Sequence, residues 1–409
     1  MKSFLKENIS KIILIFLIIQ PVIDCLTTIS MNVFNLEITF GMIIRMIFLV
    51  FLYVYNFIIT KPSKKNIILS SLTALYIILF ATNIFLTKDI SVLFYELKNL
   101  ARYLYFPCLL WNLYELKKKE KIEIEEKKLN LTYLIYLILI LIPMLTNTDF
   151  SGYTQGKIGT IGWFSSTNEI GAILSGLLPY LLLGQPLKKF IPIFLITTIV
   201  FFSLGSKITC LTLIIVLLIY IIKQILKSKN RKKVIGVLLP TGMVALIISF
   251  ILLPKTAFYK NIETHLNFLG VDSIIDIVKD KKLIDHFIFS SRLTFLDNTW
   301  ENYKKSRLPT KLIGIGFIEN YATDEVNLKT IEMDIFDIFF RTGLLGTALI
   351  LSPIVLILKE EKYKSTTKKT TSIFLFVSIS TLAGHVLISP AVAIYPVLIF
   401  LNYIKEDAT

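Results

Sequence analysis

The chain has 409 residues, 54% of them hydrophobic, with a mean hydropathy of +0.69; this is more apolar surface than a soluble core absorbs. Lys and Arg number 44 against 29 Asp and Glu, but the basic residues sit in short loops between apolar runs, which argues against a nucleic-acid partner. The three cysteines, Cys25, Cys108 and Cys210, all lie in apolar runs, so neither a disulfide framework nor a metal-ligand spacing is present.

Apolar runs of about 20 residues, enough to cross roughly 30 Å of hydrocarbon, recur along the chain. They predict an all-α polytopic membrane protein of about 12 transmembrane helices. The spans fall at 12–30, 40–59, 66–86, 90–114, 129–147, 168–184, 190–204, 207–223, 234–253, 335–358, 371–388 and 390–404. The first run has no small-residue cleavage site and reads as a retained helix. Residues 1–253 carry the spans up to the ninth. One large extracytoplasmic loop covers 254–334, and 335–409 carry the remaining spans.

Orientation follows from the lysines. One set of loops holds Lys2, Lys6, Lys61, Lys64, Lys65, the run from Lys117 to Lys128, Lys188, Lys189, the cluster from Lys223 to Lys233, the run from Lys359 to Lys369, and Lys405. The short loops on the other side hold only Lys88, Lys157 and Lys207. Positive residues stay on the cytoplasmic side, so both termini are cytoplasmic and the basic excess faces anionic lipid.

The large loop is too polar to insert. Apolar spacing predicts amphipathic helices over Asp272–His286 and Arg292–Lys305, and Pro309 with Gly314 and Gly316 breaks the chain before the next span. Ser290 and Ser291 are N-cap residue types placed before Arg292, which would point backbone amides at an anion.

A charge inside a span costs about 2.5–3.5 kcal/mol at the bilayer centre, so its position is informative. Asp24, Arg45, Glu96, Lys98, Arg102 and Arg341 all fall in the outer half of their spans, with Lys207 at an outer hairpin and Arg292 in the loop. Such clustering describes a cationic cavity open to the outside, suited to a phosphate or diphosphate on a lipid. Arg45 and Arg341 also lie near enough to the interface to snorkel. Glu332, Asp334 and Asp337 stand where the loop becomes a span. One acid there caps a helix; three within six residues, with Arg341 one turn on, go beyond a cap and place a proton acceptor at the mouth of the cavity. His385, near the outer end of its span, has a route to the same cavity but reads first as a satisfied polar group of the bundle.

These pieces resemble the O-antigen ligase and Wzy-type polysaccharide polymerase family, in its Gram-positive branch. The resemblance rests on QPVIDCLTT, ELKNLARYLYFP, GWFSSTNEIGAILSGLLPYL, SLGSK, SSRLTFLDNTW, LIGIGF and IEMDIFDIFFRTGLLG, in that order along nearly the whole chain. It implies a metal-independent, cofactor-free membrane glycosyltransferase with a C-type glycosyltransferase-like superfold. The implied donor and acceptor are glycans on undecaprenyl diphosphate at the outer face of the bacterial cytoplasmic membrane. A flippase and a chain-length regulator are the implied protein partners.

Two departures from the ligase pattern appear. Lys207 follows Ser206 where the ligases have arginine, and Glu332 stands where they have a histidine, counting back from Gly343. Both favour the polymerase-like branch, which joins repeat units into a capsular or exopolysaccharide. In that reading Glu332 is the base, with Asp334 the alternate. Arg292, Lys207, Arg102 and Lys98 hold the diphosphate, and Asp24, Arg45, Asp337 and Arg341 support them. A single displacement would invert the anomeric centre. Ligation of a finished glycan to another acceptor, and transport of lipid-linked sugars without catalysis, are the competing readings.

Overall fold

The computed structural model describes residues 2–120, 122, 125–151, 158–228, 236, 253–271, 274–318 and 331–405. Helices make up nearly all of it, and no strand occurs among the described residues beyond two isolated bridges, Ser151 with Thr160 and Tyr363 with Ile404. The helices are α1 (Lys2–Ile18), α2 (Gln20–Asn32), α3 (Phe40–Val54), α4 (Lys64–Thr87), α5 (Leu93–Glu120) and α6 (Glu126–Thr146). Next come α7 (Thr167–Leu182), α8 (Leu187–Leu204) and α9 (Lys207–Lys227). The polar segment holds α10 (Ala257–Leu269), α11 (Ile274–Val278), α12 (Lys281–Ile288), α13 (Arg292–Lys305) and α14 (Leu308–Ile313). Finally α15 (Asp334–Glu360), α16 (Thr367–Leu382) and α17 (Pro390–Tyr403) close the bundle.

Six described helices are long and apolar enough to cross a membrane: α3 with its continuation to Ile59, α4, α6, α8, α9 and α15. The pair Glu7–Ile18 and Gln20–Asn32 makes up to 7 if counted as one span bent by 49°. This is a multi-pass membrane bundle. The expected single first span is therefore broken, at Pro21 in the first turn of α2, where the ring removes a backbone donor. The shorter α7, α16 and α17 and the charge-bearing α5 occupy the other expected positions; the expected span 234–253 lies outside the described residues except Leu253 and Gly236.

The centre of the bundle is α7, buried continuously from Ile170 to Leu182, together with α17 and the middle of α5. Helix α16 packs on α7, and Ser372 donates to the Gly176 carbonyl. At one end of the bundle the lysine-rich connections are tied by Lys65–Glu360 (2.5 Å) and Lys118–Glu361 (2.6 Å), with the Tyr114 hydroxyl 2.6 Å from Glu361. The polar segment lies at the other.

Helix α15 is broken where that segment docks. Gly343 has φ 66° and ψ −173°, which frees the carbonyls of the turn before it. The loop after α14 takes them up: the Ile315 amide donates to Phe340 O at 3.0 Å and the Gly316 amide to Arg341 O at 3.2 Å. The Tyr76 hydroxyl, 2.7 Å from Thr342 O, completes the set. These partners satisfy the carbonyls that the break frees, which makes it tolerable.

Two local expectations are corrected and a third holds; residues 272 and 273 lie outside the described residues. The predicted helix over Asp272–His286 is two short helices, α11 and α12, hinged near Lys279–Asp280; Asp280 starts the second by accepting from Lys282 N at 2.8 Å. Pro309 is not a breaker but lies in the first turn of α14, where a missing donor costs nothing. Arg292–Lys305 forms with the expected limits.

Candidate active site

Two distant parts of the polar segment meet at its end of the bundle. Arg292 opens α13, and Glu332 ends the connection into α15. The Arg292 Nη2 donates to Glu332 Oε2 at 2.8 Å, with the arginine side chain 12% exposed and the glutamate 41%. Arg292 Nη1 also donates to the Leu382 carbonyl at the end of α16, at 3.3 Å. Its buried Nε has no partner among the described residues.

A buried carboxylate braces each side of this pair. Asp285 accepts from the amides of Leu293 and Thr294, both at 3.0 Å, and from the Thr294 hydroxyl at 2.6 Å. These are the first-turn amides that the sequence offers to an anion through Ser290 and Ser291. Ser291 is instead left-handed at φ 66° without a capping bond, and its hydroxyl meets His286 Nδ1 at 2.6 Å. At the start of α13 the Arg292 side chain, not the first-turn amides, is left to meet a group from outside the helix. On the other side Asp337 accepts from Ile331 N (3.0 Å) and Met333 N (3.1 Å), gripping the backbone on both flanks of Glu332. Glu332 itself is held at φ 62°, an uncommon conformation for a residue with a side chain.

Asp334 is fully buried and stitches α15 to the turn between α16 and α17. Its Oδ2 accepts from Ser380 Oγ (2.9 Å), Val386 N (2.9 Å) and Leu387 N (2.8 Å). Gly384 at φ 67° presses on the same place; a Cβ there would stand 2.8 Å from the Glu332 carbonyl carbon and oxygen. Three regions remote in sequence, around 292, 332–337 and 380–387, therefore converge.

The remaining predicted residues are distributed as follows. Glu96 is buried and accepts from Lys88 Nζ (2.5 Å), Phe317 N (2.7 Å) and Ile318 N (2.8 Å), so it anchors the loop after α14. Burial pulls Lys88 below the usual lysine range while Glu96 pulls it back up. Arg341 donates to the Gly316 carbonyl of that loop at 3.1 Å. Lys98 lies 3.9 Å from Glu37, and Arg102 Nη1 is 3.4 Å from Asn99 Oδ1.

Lys207 joins the neighbourhood through α12: its Nζ donates to the Phe287 carbonyl, sits 4.1 Å from the Phe287 ring centre and is 3.3 Å from His265 Nδ1. Asp24 and Arg45 pair with each other. Gln20 Oε1 accepts from Arg45 Nε at 3.0 Å, the Tyr136 hydroxyl donates to Asp24 at 2.5 Å, and the Tyr395 hydroxyl is 2.9 Å from that of Tyr136. This buried cluster joins α2, α3, α6 and α17, away from the Arg292–Glu332 contact.

Sequence reasoning passed over Asp285, Lys88 and Glu169, whose carboxylate accepts from Ser389 Oγ at 2.6 Å. Glu169 carries a readable signal, being the only acid in an otherwise uncharged, buried helix. Asp285 carries none, because its partners depend on how α12 turns into α13.

The sequence profile of the family described as O-antigen ligase like membrane protein matches residues 6–284 and 272–406. The chain belongs to this family. O-antigen ligase-like membership gives it a role in glycan transfer, acting on lipid-linked glycans as a multi-pass membrane protein. The two matched stretches together include Arg292, Glu332, Asp334 and His385. No curated protein and no solved structure matches the chain.

Proposed function

We propose that the protein polymerises undecaprenyl-diphosphate-linked oligosaccharide repeat units into a cell-surface polysaccharide at the outer face of the cytoplasmic membrane. The observation that carries this reading is the 2.8 Å contact between Arg292 and Glu332, an anion-binding group and a proton acceptor in one place. Arg292 receives the donor diphosphate. An arginine has five donors in a fixed fork, and here Nε is unpartnered among the described residues while Nη2 is on Glu332. A diphosphate, with one negative charge on each phosphate, competes for that fork and releases the carboxylate next to the reacting carbon.

Glu332 then takes the proton of the acceptor hydroxyl. The new bond forms between that oxygen and the anomeric carbon as the bond to the diphosphate oxygen breaks, and the electron pair leaves with the lipid diphosphate. Arg292, with Lys207 reached through α12 and Arg102 and Lys98 on α5, offsets the charge that develops there. Attack opposite the leaving group inverts the anomeric centre. Asp337 and Asp285 hold the two reacting groups in register through the backbone bonds described above.

The test is polymer formation in proteoliposomes by the wild type and Glu332→Gln. The amide keeps the size of the side chain and its bond to Arg292 but accepts no proton. Loss of polymer with donor binding retained supports the reading; unchanged polymer length and rate remove Glu332 as the base and favour transport.

A further inference from the structure

Two buried polar atoms at the convergence point are not accounted for by the base and the diphosphate-binding arginine. Asp334 Oδ1 and His385 Nε2 are both buried, and neither has a hydrogen-bond partner among the described residues. They belong to parts of the chain that are neighbours in space: the other oxygen of Asp334 accepts from the two amides that follow His385. A Cβ built on Gly384 would stand 3.2 Å from Asp334 Oδ1 and 2.8 Å from the Glu332 carbonyl, so the turn that carries His385 packs against Asp334 and the backbone of Glu332. An unpaired buried acceptor costs stability unless a ligand or water completes it.

The backbone points the same way. Gly384 has φ 67° and His385 has φ 64°, two consecutive left-handed residues, and Glu332 opposite them has φ 62°. Only glycine adopts this region without cost, so the turn holds the imidazole where ordinary geometry would not put it.

We propose that Asp334 Oδ1 and His385 Nε2 form the subsite for a hydroxyl of the acceptor sugar, beside Glu332. The chemistry selects the ligand. A carboxylate oxygen only accepts hydrogen bonds and repels phosphate, so the donor diphosphate is excluded from this point. A sugar hydroxyl donates to Asp334 and, through its lone pairs, accepts from His385 or, for the other tautomer, is matched by a neighbouring hydroxyl on the same ring. The subsite therefore orients the acceptor while Arg292 holds the donor, a separation of roles that rests on the polymerase reading above.

The substitution His385→Gly removes the imidazole and suits the left-handed backbone, so folding is preserved; His385→Asn keeps the backbone conformation and a shorter hydrogen-bonding group. The probe is the lipid-linked repeat unit extracted from a strain lacking this protein, supplied to proteoliposomes. Two products are counted: glycan joined to glycan, and repeat unit released to water. For His385→Gly the ratio of joined to hydrolysed product falls about tenfold, the worth of one hydrogen bond to a hydroxyl, with the melting temperature unchanged. His385→Asn recovers part of the loss. Wild-type joining by His385→Gly, or an equal fall of joining and hydrolysis, overturns the subsite. If the wild type neither joins nor hydrolyses the lipid, the polymerase reading itself fails and the subsite falls with it.

Discussion

Arg292 and Glu332 are separated by 40 residues in the chain and by 2.8 Å in space, and each is braced by a different buried aspartate. The arginine sits on a helix whose first amides bond to Asp285; the glutamate sits between two amides bonded to Asp337. Their contact is thus the meeting of two built supports. It has a kinetic signature. Arg292→Lys keeps the charge but loses the planar fork, so donor KM rises about tenfold or more, while Glu332→Gln lowers kcat with donor KM little changed. Steady-state kinetics in proteoliposomes checks both, and a matching change in both parameters for both variants contradicts separate roles.

Asp285 acts on the site only through backbone. Replacing it with Ala leaves two amides and a hydroxyl at the start of α13 without their acceptor, a loss of about 1–2 kcal/mol for a capping group. The expected outcome is a modest fall in melting temperature and a larger fall in transfer, because Arg292 is the first residue of α13. Asp285→Asn retains one acceptor oxygen and recovers part of both.

The break in α15 depends on Gly343. A Cβ at that residue would stand 2.5 Å from Gly314 N and 2.6 Å from the Leu312 carbonyl, in a conformation that L-residues avoid. Gly343→Ala is expected to destabilise by about 2 kcal/mol or more and to loosen the polar segment from the bundle. Limited proteolysis between α14 and α15 measures this directly: faster cleavage than wild type is expected, and equal cleavage would show that docking does not require the break.

The Asp24–Arg45 pair gives a cleaner energetic test. Arg45→Met alone strands a carboxylate that is 7% exposed and costs about 3–5 kcal/mol. Asp24→Leu with Arg45→Met removes both charges and recovers most of that loss. A double-mutant cycle on thermal unfolding checks it; additive losses would mean the two side chains do not act as a pair.

Hydropathy is local, and so the apolar helices of the described bundle and the limits of α13 could be read from the chain. So could the candidates: Arg292 and Glu332 stood out as a cation within the one large polar stretch and an acid at its end. Their pairing could not be read, because it depends on α13, the foot of α15 and the α16–α17 turn being brought together by packing. The same packing divided the other charges. Lys98 and Arg102 share a helix face by spacing, yet their partners come from Glu37 on a preceding loop and Asn99 on the same helix. Glu96 found the backbone of residues 317 and 318, and Asp24 found Arg45 on the next helix. In the sequence His385 looked like one more polar residue of the bundle. Only the fold, by setting its left-handed turn against Glu332 and Asp334, made it a candidate for the proposed subsite, since which polar atoms remain unpaired is decided by the whole packed structure and by no single stretch of chain.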